Sequence, residues 1–528
     1  MNRLTKWISL ALVTAASATL WLSGHHDALA NSETVAPASV SPTPTCDIVV
    51  SSAVPHDATI PKSHIGNPSA IQVDFDTLSW NTFIALNWPA DPNHNGQPDP
   101  DPSKKIGLQD YGPVVWETYK PTYNVFVADA QGNPVAPAAW STQPSPPPGC
   151  DQNSAYAAKL GKPVRVVKNI SKDGLNEFLE AFSNAPLIDQ KGAFARYEVL
   201  VNEQEFNNIV SPVDPSTGKP LPPLYDSRNQ TNVNFPVGQP SGPEGPIEVK
   251  AAWKVLGSTD DPGRYHTEWI QIAWPNSTTP VTYQCSQPIM VGLVALHISH
   301  KTFNAPQWAW STFEQVDNYR PPPNSPKGRK ASFYNPDCLP AQCPANQPPT
   351  SPTSGWNGDP TVLNQGPPTQ VVPGKSAQVK TGCNDQAQEL LRTINPKSVW
   401  QYYRLVSTQW PQDPYSGPGK PEPVYDPPTL AHQGANQLPV NLANGAIETY
   451  FMGPPESQDT PSCMACHNGA AGLETGKPLD FSYALQEAYP FSSASLNRLR
   501  EQRKKIFAPA ITPKSKAQPA VTPTKKTP

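Results

Sequence analysis

Apolar residues first fall into a helical rhythm at residues 76–88. There Trp80, Phe83, Ile84 and Asn87 stand at i, i+3, i+4 and i+7, Asp76 is placed to cap the start and Pro89 to stop the helix. Three of those four positions are apolar and predict a stripe facing a core. Further on, segments 114–119, 193–201, 247–256, 267–274, 289–301 and 308–316 are rich in Val, Ile, Tyr, Trp and Phe with turn residues between them, and predict strands. Only 175–182 and 203–209 interrupt this series with helical patterns. Residues 290–300 are apolar at both parities, as expected of a central strand. Helical patterns return at 385–394, at 397–409 after Asn395-Pro396, and at 493–507. The predicted fold class is α+β: an antiparallel β-rich main body with a few helices, Pro-rich loops and a C-terminal helical segment.

Composition sets the boundaries. The chain has 528 residues and 68 prolines, more than twice the usual share, so much of it must be loop. Proline-dense stretches mark 31–65 as a flexible tether and 321–384 as a connecting region, and 508–528 as a disordered Pro, Lys and Thr tail. The β-rich domain is then 66–320. Arg3 and Lys6, an apolar run over 7–22 and Ala28-Leu29-Ala30 have the layout of a secretory signal peptide, residues 1–30, and predict a periplasmic or secreted protein. No later segment is apolar enough for a membrane span. The net charge of −4, without a long basic stripe, gives nucleic acid binding no support. In an oxidising compartment Cys46, Cys150, Cys285, Cys338, Cys343 and Cys383 make up to three disulfides, of which Cys338–Cys343 would close a short local loop.

The other two cysteines stand in Cys463-Met464-Ala465-Cys466-His467, a C-x-x-C-H pattern. A redox dithiol or a zinc site is the alternative, but no βαβ pattern adjoins it, and no second C-x-x-C or H-x-x-x-H completes a tetrahedral set. The pattern resembles the haem-attachment motif of c-type cytochromes, over the motif and its flanks only. That resemblance implies one covalent haem c held by Cys463 and Cys466, with His467 as proximal iron ligand, in a haem segment spanning 385–507. It further implies electron transfer with a redox partner protein. Arg498, Arg500, Arg503, Lys504 and Lys505 would suit an acidic partner, or are a solvated helix end.

The second axial position is not specified locally, because neither methionine nor histidine follows His467. Met452, His297 and His300 are the upstream candidates, an open iron is a further alternative, and His266 and His432 are weaker ones. Three residues apart on a strand, His297 and His300 would face opposite sides. Glu314 shares strand parity with Trp308 and Trp310, which makes it a candidate acid–base group or an ordinary edge glutamate. An open iron would instead support a haem-dependent oxidoreductase, peroxidase- or oxygenase-like, acting on a small-molecule substrate; a haem-containing redox sensor or binding protein is a third alternative. Finally, Asp91, Asn93, Asn95, Gly96 and Asp99 resemble a calcium loop of D-x-N-x-N-G type, although Pro102 stands where a bidentate glutamate is needed; a plain surface turn is the competing account.

Overall fold

The structure is a computed structural model and describes residues 45–489, apart from 65, 108–111, 148–149, 151–164, 169–180, 182–184, 215, 232, 240, 279–280, 304–306, 323–329, 350–366, 374–380, 412–436, 440 and 454–461. Its strands are β1 (Lys120–Pro121), β2 (Val127–Ala128), β3 (Pro134–Val135), β4 (Arg165–Lys168), β5 (Arg196–Val201), β6 (Ile247–Val255), β7 (Thr267–Thr278), β8 (Val281–Cys285), β9 (Ile289–His300), β10 (Ala309–Gln315), β11 (Tyr403–Pro411) and β12 (Gln437–Leu438). Helices are α1 (Pro68–Leu86), α2 (Thr122–Val125), α3 (Glu203–Val210), α4 (Cys383–Ile394) and α5 (Cys463–His467). Among the described residues ten strands make one sheet with the path β1-β5-β6-β9-β10-β11-β12, antiparallel throughout that path. The fold is α+β and β-rich.

Strand β9 is the axis. One of its edges pairs with β6 along nearly its whole length, while the other is shared by β10 at its C-terminal half and β7 at its N-terminal end, so the sheet forks there. Register aligns side chains into rows across the sheet. Val201, Glu248, Ser299, Trp310 and Gln409 form one row; Val199, Lys250, His297 and Thr312 form the next; Tyr197, Ala252, Ala295, Glu314 and Arg404 form a third. All lie on one face, since strand side chains alternate. The opposite face is covered by α1, where Trp80 and Phe83 pack on Phe313, with ring centroids 5.1 and 4.3 Å away.

Helix α1 starts eight residues before the predicted cap. Asn67, whose side chain accepts from the Ala70 N–H, is the N-cap, and Pro68 takes the first helical position. Asp76 lies mid-helix and buried, accepting from Gln72, Thr381 and Thr408; burial holds its carboxyl up at about 6. Residues 114–119, expected as strand, form a 3-10 turn (Val115–Thr118), because the Glu117 carboxylate accepts the Val114 N–H and closes it locally. Residues 397–409, expected as helix, are a short 3-10 turn followed by β11. There, pairing with β10 outweighs the helical spacing. Segments 175–180 and 493–507, the leader 1–30 and the tail 508–528 lie outside the described residues.

Three disulfides form, Cys46–Cys383, Cys150–Cys285 and Cys338–Cys343. The first fastens residue 46, within the stretch expected as a free tether, to the start of α4. Such a set is characteristic of an oxidising compartment. Among the described residues no helix is long and apolar enough to cross a membrane.

Candidate functional site

After the three disulfides, Cys463 and Cys466 are the cysteines left unbridged. They lie on α5, one short turn of helix capped by Ser462, whose side chain accepts the Ala465 N–H. Positions i, i+3 and i+4 of a helix share a face, so Cys463, Cys466 and His467 point together. All three line a cleft floored by the first two rows of the sheet, with an empty volume, open mouth included, of about 1450 Å³. Met464 points the other way into the main core and is fully buried. The turn is bolted to the sheet by Gln409, whose Oε1 accepts both the Ser462 hydroxyl and the Met464 N–H.

His467 is oriented from behind. Its Nδ1 lies 2.7 Å from the Phe481 carbonyl, so the Nδ1–H tautomer donates there and the lone pair is on Nε2. The Trp310 ring lies 4.3 Å from the imidazole and the Tyr483 ring 5.2 Å, and the Tyr483 hydroxyl donates to the Cys466 carbonyl. The carbonyl at Phe481 is presented by an unusual turn: Asp480 and Phe481 both adopt left-handed φ, +48° and +68°. Non-glycine residues there cost about 1–3 kcal/mol each unless held. Here they are held: the Asp480 carboxylate accepts the Phe235 N–H and the Lys301 ammonium, each at 2.7 Å, and its carbonyl accepts Trp308 Nε1–H. Lys301 and Asp480 are both buried.

Burial, then the neighbouring Glu448 and Cys466, push the Cys463 thiol up. A nucleophilic dithiol needs the opposite. Across the cleft, His297 stands on β9 between Lys250 and Thr312. Its Nε2 lies 3.6 Å from Glu448 Oε1, beyond hydrogen-bond length, and has no hydrogen-bond partner; burial, Lys250 and His467 hold the imidazole neutral.

The other sequence candidates fall elsewhere. His300 is on the opposite sheet face, buried, with both ring nitrogens unpartnered and its pKa lowered by burial to about 3. Met452 is packed in a separate core cluster with Tyr197, Ala446 and Tyr450 and does not line the cleft. Glu314 is a correction: it is sealed beneath the turn at 444–446, accepting from Gly445 N–H, Tyr319 hydroxyl and Arg404, and is a structural anchor. The calcium loop is another. Asp91 accepts from Asn93 N–H and His94, Asn95 is bound to Trp140 and Gln143, and Asp99 to Asp101 N–H and Lys104; Asn93 is left on the exposed rim. Those oxygens close a turn and do not converge on a cation. His432 lies outside the described residues.

Sequence reasoning missed Glu248, Lys250 and Gln409, brought to the cleft or its rim by register, Glu448, presented by the turn in which its carboxylate accepts the Asn444 N–H, and also a group formed by Glu117, His266 and Glu268. In that group Nε2 of His266 lies 2.8 Å from Glu117, but the Arg165 guanidinium is 3.8 Å from the same carboxylate and bonded to Glu198, so a cation already occupies this ion-pair network. No sequence signal links residues 117 and 266. Comparison with protein-family models, with curated proteins and with solved structures finds no match for this chain.

Proposed function

We propose that this is an exported single-haem c-type cytochrome that transfers electrons through a haem held in the cleft on the sheet face. One observation carries the reading: Cys463, Cys466 and His467 converge on one cleft, with His467 Nδ1 tied to the Phe481 carbonyl. The residues fit the group. Cys463 and Cys466 are the unbridged thiols of the chain and would make the thioether links; His467 would ligate through Nε2. When bound, haem c supplies a one-electron Fe(III)/Fe(II) couple. The chain's own residues would orient His467 through Phe481, pack against it with Trp310 and Tyr483, and supply His297, whose Nε2 has no hydrogen-bond partner in the same cleft, as a second residue that would hold the group. The signal-peptide pattern and the disulfides support a periplasmic or secreted site of action with a protein redox partner.

A second reading, a haem-dependent oxidoreductase with a small-molecule substrate, is favoured by Glu448 standing 3.6 Å from His297 in the same cleft, where it would supply an acid–base group. Protein matured with haem separates the two. Retention of haem through acid–acetone extraction tests the covalent bond. An optical spectrum of the reduced protein that is low-spin and indifferent to carbon monoxide supports the carrier, with His297→Ala turning it high-spin and carbon-monoxide-binding. A wild type that already binds carbon monoxide supports the oxidoreductase; haem extracted by acid–acetone sinks both.

A further inference from the structure

Helix α3 begins with Asn202-Glu203-Gln204-Glu205, which has the spacing of a capping box, in which the third-position glutamate bonds back to the cap's N–H. The structure denies it that role. Asn202 Oδ1 accepts the Glu205 N–H and the Ile247 N–H, and the Asn202 N–H is taken by the Ile247 carbonyl. Glu205 is left fully buried with neither carboxyl oxygen within hydrogen-bond geometry of a donor; the nearby Ser482 hydroxyl, which would lower it, is directed to Glu248 instead. An ionised carboxylate in that state costs several kcal/mol, so burial pushes the Glu205 carboxyl well above its ordinary range and favours its protonated form.

That space is defined by register. Glu205 follows Val201, which sits in the same row as Glu248 on the cleft face. The charged groups around Glu205 are Glu248 from β6, Asp480 from the strained turn, and Lys301 from the end of β9. Lys301 is committed to Asp480 and to the Phe235 carbonyl. Glu248 is buried, makes no ion pair among the described residues, accepts the Ser482 hydroxyl on Oε2, and feels Lys250 along its own strand. Glu248 lines the cleft; Glu205 stands behind it. Burial raises both carboxyls, and the Glu248 charge raises Glu205 further, whereas the Ser482 hydroxyl and Lys250 draw Glu248 back down, so two acids of unequal strength stand in one low-dielectric wall.

We propose that Glu205 and Glu248 form a carboxylic-acid dyad that binds a proton in step with reduction of the cleft. The inference rests on the haem reading above. One electron enters from a one-electron reductant and one proton from water; an O–H bond forms on the dyad carboxylate, and on reoxidation it breaks and the proton returns to water. The dyad thereby offsets the charge that the electron brings into a buried site, and Ser482 holds Glu248 toward it.

The test is the midpoint potential of the haem-loaded full chain, by optical potentiometry across pH 5.5 to 9 with dithionite and soluble mediators, in wild type, Glu205→Gln and Glu248→Gln. In wild type the potential should fall with pH toward the limit of about 59 mV per tenfold change in proton concentration. Glu205→Gln and Glu248→Gln should flatten that slope, and Glu205→Asp should retain part of it. Equal slopes in wild type and both Gln variants overturn the proposal. Infrared spectra provide a second readout: a carboxylic-acid C=O band that shifts in heavy water and vanishes in Glu205→Gln marks the buried protonated acid, with or without haem. Absence of that band from wild type also overturns the dyad, whereas a chain that carries the band but no covalent haem overturns the cytochrome reading and the redox link together while leaving the buried protonated acid standing. Should Glu205→Gln fail to fold, Glu248→Gln carries the potentiometric arm.

Discussion

On the face of the sheet covered by α1, most polar groups described are paired with one another, His300 and the Thr82 hydroxyl excepted: Ser79 meets Ser311 and Thr408, Gln72 meets Asp76 and Trp410, and the aromatic rings of Trp80, Phe83 and Phe313 interlock. On the other face the same strands carry Glu248, Lys250, His297 and Trp310 into an open cleft, and the buried Glu205 carboxyl, His297 Nε2 and Trp310 Nε1 are left without hydrogen bonds. Buried polar atoms without partners cost stability and persist where a ligand or a proton completes them. One parity of β9 and β10 therefore maintains the fold and the other maintains the site. The bridge between them is Gln409, which belongs to a strand beneath α1 and holds the α5 turn.

The contrast is broken most severely at the strained turn. Asp480→Ala leaves Lys301 buried without its partner, for an expected loss of about 3–5 kcal/mol in chemical denaturation. It also releases Phe481, so, if the chain takes up haem as proposed, the His467 signals in its paramagnetic spectrum should shift. Phe83→Ala should cost a similar or slightly smaller amount, about 3–4 kcal/mol, by opening a cavity against Phe313, Trp400 and Tyr403. Here the optical spectrum should stay unchanged; a spectral shift equal to that of Asp480→Ala would show that the faces are not independent.

Asp76 gives a pH signature to the α1 face. Its folded-state pKa of about 6 lies above the ordinary aspartate value of 3.8, so the folded chain binds a proton that the unfolded chain has already lost between those values. Stability from this group accordingly falls as pH rises from about 4 to about 6 and is level above, by about 3 kcal/mol in all. Asp76→Asn should remove that slope from a series of melting temperatures, and an unaltered slope would assign it elsewhere. The smallest effect belongs to the exposed Glu389–Arg392 pair on α4, where Arg392→Ala should change stability by less than about 0.5 kcal/mol.

Local chemistry explains what was legible. The helix ahead of Pro89, the apolar central strand at 289–300 and the C-x-x-C-H turn are each written within a dozen residues, and nearby residues suffice to form them. The strand at 403–411 was not legible, because its helical spacing is overruled by a partner strand that ends almost ninety residues earlier. Glu314 failed as an acid–base candidate for a related reason: strand parity identifies its face, but only the turn at 444–446 decides that this part of the face is covered.

By itself, then, the sequence determined the β-rich class and the stop and apolar stripe of α1, and it placed Cys463, Cys466 and His467 on one short turn, since periodicity and a five-residue motif act over short range. Only the tertiary structure decided what surrounds those three residues. The Phe481 carbonyl behind His467, Trp310 beside it, His297 across the cleft and the Glu205–Glu248 pair in its wall come from segments up to 276 residues apart in number, from 205 to 481. Strand register and a buried Lys301–Asp480 ion pair bring them together, and neither leaves a trace in local pattern, because each is an interaction between distant chain segments that exists only once the core has closed.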